Sequence, residues 1–83
     1  MQHNLYTIRD DQAESFGPIF QSQNHGTARR IVMESAPETL MGKYSSDFSL
    51  WHVGVFDDQT SEVEGSVPSK LATLSQILNK EEK

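Results

Sequence analysis

The side chains with the widest chemical range in this sequence are three histidines. His3, His25 and His52 are far apart in the chain, and no two of them stand three or four residues apart. The spacing therefore provides no pair of metal ligands on one face of a helix. His52 lies among apolar residues, where a hydrogen-bonded, partly buried histidine is the more common role. We expect no metal site and no cofactor.

Two adjacent arginines lie near the start of a predicted helix. The helix dipole disfavours positive charge at this end, so it does not stabilise the charges of Arg29 and Arg30. Contact with phosphate groups, assisted by backbone N–H groups, is one explanation. Surface ion pairs with Glu34 or with aspartates are the alternative. The candidate residues for binding nucleic acid or a partner are Arg29, Arg30, His25 and Arg9.

The sequence contains no recognisable enzymatic motif. It lacks a Gly-x-Ser-x-Gly turn, and its five glycines form neither a phosphate-binding loop nor a dinucleotide-binding fingerprint. The acidic stretch beginning at Asp57 has Glu62 at the sixth position, where a calcium-binding loop requires glycine. We therefore expect a binding protein that is not an enzyme.

Length and composition restrict the class further. A chain of 83 residues holds one domain, here 1–83, with an ordered core over about 4–78 and a frayed tail at 79–83. The absence of cysteine favours a reducing, intracellular compartment. No apolar run approaches the roughly 20 residues of a membrane span, so no membrane contact is expected. The net charge of −5 opposes sequence-independent nucleic-acid binding.

The hydrophobic pattern predicts an α+β fold. Strands are expected at 5–10 and 19–22, separated by a polar connector at 11–17, and a helix is expected to begin at Ala28 and to end before Pro37. The strongest strand, 48–56, is followed by a turn and a returning strand at 61–67. A last helix would open at Pro68-Ser69. This order gives a small antiparallel sheet of three to four strands with two helices packed on one face.

The strand at 48–56 carries apolar residues at both its odd-numbered and its even-numbered positions. Strict alternation places Phe48, Leu50, His52, Gly54 and Phe56 on one face, and Ser49, Trp51, Val53 and Val55 on the other. A second apolar face requires a cover, either another segment or another copy of the chain. We therefore expect a homo-oligomer, most simply a dimer, with Trp51, Val53 and Val55 in the contact. Stacking of a nucleic-acid base on Trp51 is the alternative role.

Several short motifs follow one another along residues 5–78: Tyr6-x-Ile8-Arg9-Asp10, Pro18-x-Phe20, Asn24-His25-Gly26-x-Ala28-x-Arg30, Asp47-Phe48-Ser49-Leu50 and Gly54-Val55-Phe56-Asp57-Asp58. Their order resembles that in the small nonstructural protein of gokushovirus-type microviruses, the single-stranded DNA phages related to those of Chlamydia. The chain departs from the family in two loops, at Ser45-Ser46 and at Thr60-Ser61.

This resemblance implies a nonstructural accessory protein made in the cytoplasm of the host bacterium. It would act in synthesis or packaging of the single-stranded DNA genome by binding the replication complex or the DNA itself. The alternative is a protein-interaction module that binds a host or viral protein without touching nucleic acid. No catalytic residue comes with the resemblance.

Overall fold

The computed structural model describes residues 2–78, which form a four-stranded antiparallel sheet in the order β2-β1-β3-β4. The strands are β1 (Gln2–Asp10), β2 (Ser15–Ser22), β3 (Phe48–Asp57) and β4 (Val63–Thr73). Helix α1 (His25–Ser35) follows β2. The short helix α2 (Leu40–Lys43) and a 3-10 turn (Ser45–Asp47) lead into β3, and one helical turn, α3 (Leu74–Ile77), follows β4. The predicted frayed tail at 79–83 lies outside the described residues.

The first strand, the long strand and its hairpin partner are confirmed, but β2 is longer than expected. Ser15 and Phe16, which the sequence placed in a polar connector, pair with Asp10 and Arg9 at the end of β1. A bulge lies between these pairs and the Thr7–Ile19 pair. Pro18 falls within this bulge on an edge strand, where its missing N–H costs no ladder hydrogen bond.

Helix α1 is confirmed with its end before Pro37, but it begins at His25, three residues before the predicted Ala28. Asn24 is the N-cap, and its side chain accepts a hydrogen bond from the Thr27 backbone N–H at 2.8 Å. Ala28 and Val32 are the buried residues of the helix. The helix ends at Ser35, two residues before Pro37. None of the helices in residues 2–78 has the length and hydropathy of a membrane-spanning segment.

The predicted second helix is wrong, and with it the expectation of two helices packed on the sheet. Ser69 pairs with His52, and Ala72 pairs with Leu50, so this segment continues β4. A bulge between those pairs lets Leu71 and Ala72 both pack against the core from a strand. Only one turn of helix follows, capped by Thr73 and Gln76. The residues with helix-like spacing are divided between two elements: Leu71 lies at the end of β4, and Leu74 and Ile77 lie in the single turn α3.

The core lies on the side of the sheet that carries α1. Its fully buried side chains include Tyr6 from β1, Leu50 from β3 and Leu74 from α3. Ala28, Val32 and Ala36 complete it from α1 and its C-terminus, and Ile77 from α3. This side is called the helix side below. A small core of this kind gives a chain of 83 residues a thin margin of stability.

The strict alternation predicted for β3 fails at one bulge. Tyr6 pairs with His52 but its neighbour Leu5 pairs with Gly54, so Val53 is the extra residue. Because a bulge reverses the sense of alternation, Val55 faces the helix side, opposite Asn4. Trp51 faces the other side, as predicted. The three residues expected to form one self-contact are therefore not on one face.

Candidate functional site

One face of the sheet carries no helix, and this open face is the first candidate site. The register places Thr7 beside Trp51 and Ile19, and places Arg9 beside Phe16 and Ser49. Lys70 lies opposite Trp51 on β4. By the same pairing, the side chains of the open face are those of His3, Leu5, Thr7, Arg9, Phe16, Ile19, Gln21, Ser49, Trp51, Phe56, Val63, Lys70 and Thr73. None of its apolar residues is among those that pack against the core.

The apolar part of the open face is accessible to solvent. Ile19 is 61% exposed, Val63 is 65% exposed and Phe16 is 49% exposed, while Trp51 and Phe56 are half-buried. Scattered exposed apolar residues are ordinary on protein surfaces, but a contiguous set on one flat face marks a contact surface. Within residues 2–78, none of these apolar residues packs against the core, although Thr7 and Ser49 on the same face are buried.

Aromatic rings and polar groups fix the centre of the open face. The Phe16 and Trp51 rings meet edge to face with centroids 5.5 Å apart, and the Arg9 guanidinium lies 5.6 Å from the Phe16 ring centre. The Trp51 indole donates to the Ser49 hydroxyl at 2.8 Å. That hydroxyl donates to Asp11 at 3.2 Å, and Arg9 pairs with the same carboxylate at 2.8 Å. The two rings are therefore held in place without being covered.

The open face carries both positive and negative groups. Arg9 and Lys70 place positive charge on it, with Asp11 beside Arg9. At the other end, Asp58 bonds to His3, which stands opposite Phe56. Three further acidic residues of the β3–β4 hairpin, Asp57, Glu62 and Glu64, line a depression beside Val55.

A second cluster, on the helix side, joins Tyr6 to two histidines. The Tyr6 hydroxyl and His25 Nδ1 are 2.7 Å apart, and His52 Nε2 lies 3.0 Å from Asn4 Oδ1. The ring centres of His25 and His52 are 5.3 Å apart, and each ring also contacts Tyr6. We call Asn4, Tyr6, His25 and His52 the histidine cluster.

Burial shapes the protonation of this cluster. Desolvation raises the pKa of the Tyr6 phenol, which therefore stays neutral well above neutral pH. Burial, and then the nearby His25, lower the pKa of His52. His52 is therefore neutral near pH 7, because its charged form loses solvation and faces a second imidazole.

The structure separates the residues that the sequence grouped as one binding site. Arg29 and Arg30 are exposed on α1, and Arg29 lines a depression with Gln76 and Ile77. Arg9 lies on the opposite side of the sheet, in the open face. His25 is the first residue of α1 and belongs to the histidine cluster. These four residues therefore do not form one binding site.

Sequence reasoning missed two groups of residues. Phe16 was placed in a connector, and Phe56 on the face opposite Trp51, so an aromatic open face was not foreseen. His25 and His52 are distant in the chain and come together only because α1 begins over β3. A longer β2 could have been suspected from Phe16 itself, an aromatic residue in an otherwise polar segment.

These features define a small antiparallel-sheet protein with one face packed under a helix and one aromatic face left open. The chain belongs to the phage ORF5 protein family, whose model matches residues 3–77. It is therefore a bacteriophage protein, and to that extent the resemblance drawn from the motifs is confirmed. No curated protein and no solved structure matches the chain significantly.

Proposed function

We propose that this phage protein is a non-enzymatic accessory factor that binds single-stranded DNA on its open face. The setting would be synthesis or packaging of a single-stranded genome in the cytoplasm of the host bacterium, as the resemblance to gokushovirus-type microviruses implies. Membership of the phage ORF5 family supports a viral role, and the open face supplies the chemistry of contact.

The observation that carries this proposal is the uncovered aromatic surface. Single-stranded nucleic acids are commonly bound on sheet faces where aromatic rings stack against unpaired bases. Phe16 on β2, and Trp51 and Phe56 on β3, provide such rings on one face, with β1 between the two strands. Phe16 and Trp51 are already fixed by their mutual contact, so stacking would not need to order them.

Charge on the open face is compatible with a phosphate backbone. Arg9 and Lys70 lie on either side of Trp51, one on β1 and one on β4. Of the acidic residues of the hairpin, Glu64 pairs with Val55 on the helix side, whereas Asp58 bonds to His3, which stands opposite Phe56. Because only a few cations are present, we expect weak binding with a shallow dependence on salt.

Fluorescence of the one tryptophan provides a direct test. Trp51 is the sole tryptophan in the sequence, so titration with a short oligothymidine at low salt reports the open face alone. We expect quenching that saturates, and affinity that falls as salt is added. An absence of saturable quenching at low salt would overturn the proposal.

A matched pair of aromatic variants locates the contact. Phe16 and Tyr44 are both 49% exposed, but Tyr44 follows α2 and lies outside the open face. Phe16→Ala should weaken oligonucleotide binding by about 1–3 kcal/mol, the usual loss for one stacked base. Tyr44→Ala should leave affinity unchanged. Equal losses in the two variants would place the contact elsewhere.

Charge variants then separate the two candidate basic regions. If the open face is the site, Lys70→Ala should remove one phosphate contact. The slope of log affinity against log salt concentration should then become shallower by about one. Arg29→Ala combined with Arg30→Ala should have little effect, because both residues lie on α1. The reverse outcome would assign the DNA contact to the helix and not to the sheet.

A protein-interaction module is the second candidate, favoured by the overall charge of −5. The same open face would then accept a protein surface, including a second copy of this chain through Trp51. Light scattering with and without oligonucleotide distinguishes the cases. A stable dimer whose mass does not change on adding DNA would favour the protein-interaction role.

A further inference from the structure

We propose that His25 and His52 form a two-imidazole binding site for a divalent transition-metal ion of the zinc class. The spacing of these residues in the sequence gave no sign of such a site. The fold brings them together by setting the first residue of α1 against the middle of β3. The site lies on the helix side and so does not depend on the proposed DNA contact.

Each imidazole is oriented by a hydrogen bond at one nitrogen. Asn4 Nδ2 donates to the Gln23 carbonyl at 2.9 Å, which turns Asn4 Oδ1 toward His52. His52 Nε2 therefore carries the hydrogen, and its Nδ1 presents a lone pair. His25 Nδ1 is held by the Tyr6 hydroxyl. Oriented partners of this kind accompany nearly all metal-binding histidines.

The remaining nitrogens make no hydrogen bond among residues 2–78. His25 Nε2 and His52 Nδ1 are the two atoms concerned. Both residues, with Asn4, Asn24 and Gly26, line a shallow depression of about 620 Å³ that opens to solvent. A metal ion could reach both imidazoles there without passing through the core.

The distance between the rings fits a shared metal ion. With Zn–N bonds of about 2.0–2.1 Å and tetrahedral angles, the centres of two coordinated imidazoles lie about 5.2 Å apart. The centres of His25 and His52 are 5.3 Å apart, with the ring planes inclined at 58°. When His25 binds through Nε2, its Nδ1–H donates to the Tyr6 oxygen, so that hydrogen bond persists in the opposite sense.

The cluster can supply two imidazole nitrogens to a metal ion. No group of three or more histidine, aspartate or glutamate side chains suited to a metal ion occurs in residues 2–78. The proposed site therefore supplies two ligands, and water or an external ligand would complete the coordination.

Titration with zinc tests the site, and the third histidine serves as the control. Isothermal calorimetry of the tag-free chain at pH 7.5 should show saturable binding of one Zn²⁺ per chain. His25→Gln or His52→Gln should lower the affinity by at least tenfold, whereas His3→Gln should leave it unchanged, since His3 pairs with Asp58 elsewhere. Asn4→Ala should lower it about 10–100-fold by releasing His52.

Cobalt gives a readout that a purely structural role would not change. Co²⁺ bound at the site should give visible absorption bands that zinc displaces and that disappear in the His25→Gln and His52→Gln variants. Circular dichroism confirms that each variant is folded. Lack of saturable zinc binding by the folded wild-type chain would overturn the proposal. So would an equal loss of affinity in His3→Gln.

Discussion

The two faces of the sheet use similar residues for different purposes. On the helix side, Tyr6 and Leu50 are fully buried, and each histidine of the cluster makes one hydrogen bond, His25 to Tyr6 and His52 to Asn4. On the open face, Ile19 and Phe16 stay accessible although the strands are the same. The comparison shows that the large apolar side chains are buried where the helix packs, whereas on the open face it is the small polar Thr7 and Ser49 that are buried.

The largest expected effect comes from truncating an aliphatic side chain on each face. Leu50→Ala should lower the free energy of unfolding by about 2–5 kcal/mol, because it leaves a cavity in the core. Ile19→Ala should change it by no more than about 0.5 kcal/mol, since Ile19 is 61% exposed. Urea unfolding followed by circular dichroism measures both. Similar losses would mean that the open face is covered in solution.

The next effect concerns two glycines paired across β3 and β4. A Cβ added at Gly54 would lie 2.6 Å from the Glu64 carbonyl oxygen, whereas one added at Gly65 meets nothing within 4 Å. Gly54→Ala should destabilise the fold by about 1–3 kcal/mol through overpacking against backbone. Gly65→Ala should be neutral, or stabilising by up to about 1 kcal/mol. If both variants unfold at the same urea concentration, the bulge at Val53 is not formed as described.

A smaller effect tests the polar end of the helix side. Tyr6→Phe keeps the buried ring but removes the hydrogen bond to His25, and should cost about 0.5–1.5 kcal/mol. Tyr44 is an exposed tyrosine at the C-terminal end of α2. Tyr44→Phe should therefore leave the free energy of unfolding unchanged. The same unfolding experiment checks both variants. A neutral Tyr6→Phe would show that the His25 contact does not stabilise the fold.

The smallest effect is a dependence of stability on pH. Because the pKa of His52 is lowered in the folded chain, the unfolded chain binds more protons as the solution is acidified. The stabilisation is complete above the unfolded value of about 6.5 and is lost as pH falls below it. His52→Gln should flatten this part of the curve of unfolding free energy against pH. An unchanged slope would assign the dependence to another group.

Local pattern was sufficient for part of the fold. The alternation in β1 and the stop of α1 before Pro37 depend on neighbours in the chain, so these features were predicted correctly. The second helix was not, because Leu71, Leu74 and Ile77 fit a helical stripe as well as they fit a strand followed by one turn. Pairing of Ser69 with His52 resolves that ambiguity, and such pairing is a long-range contact.

The sequence by itself determined the small size, the antiparallel strands, the main helix and membership of a phage family. Only the tertiary structure decided which apolar residues remain uncovered, since one bulge at Val53 moves Val55 to the helix side and leaves Trp51 on the open face. It also decided that His25 meets His52. The physical reason is the same in both cases: alternation and spacing are local, whereas register and helix placement depend on how the whole sheet pairs and packs.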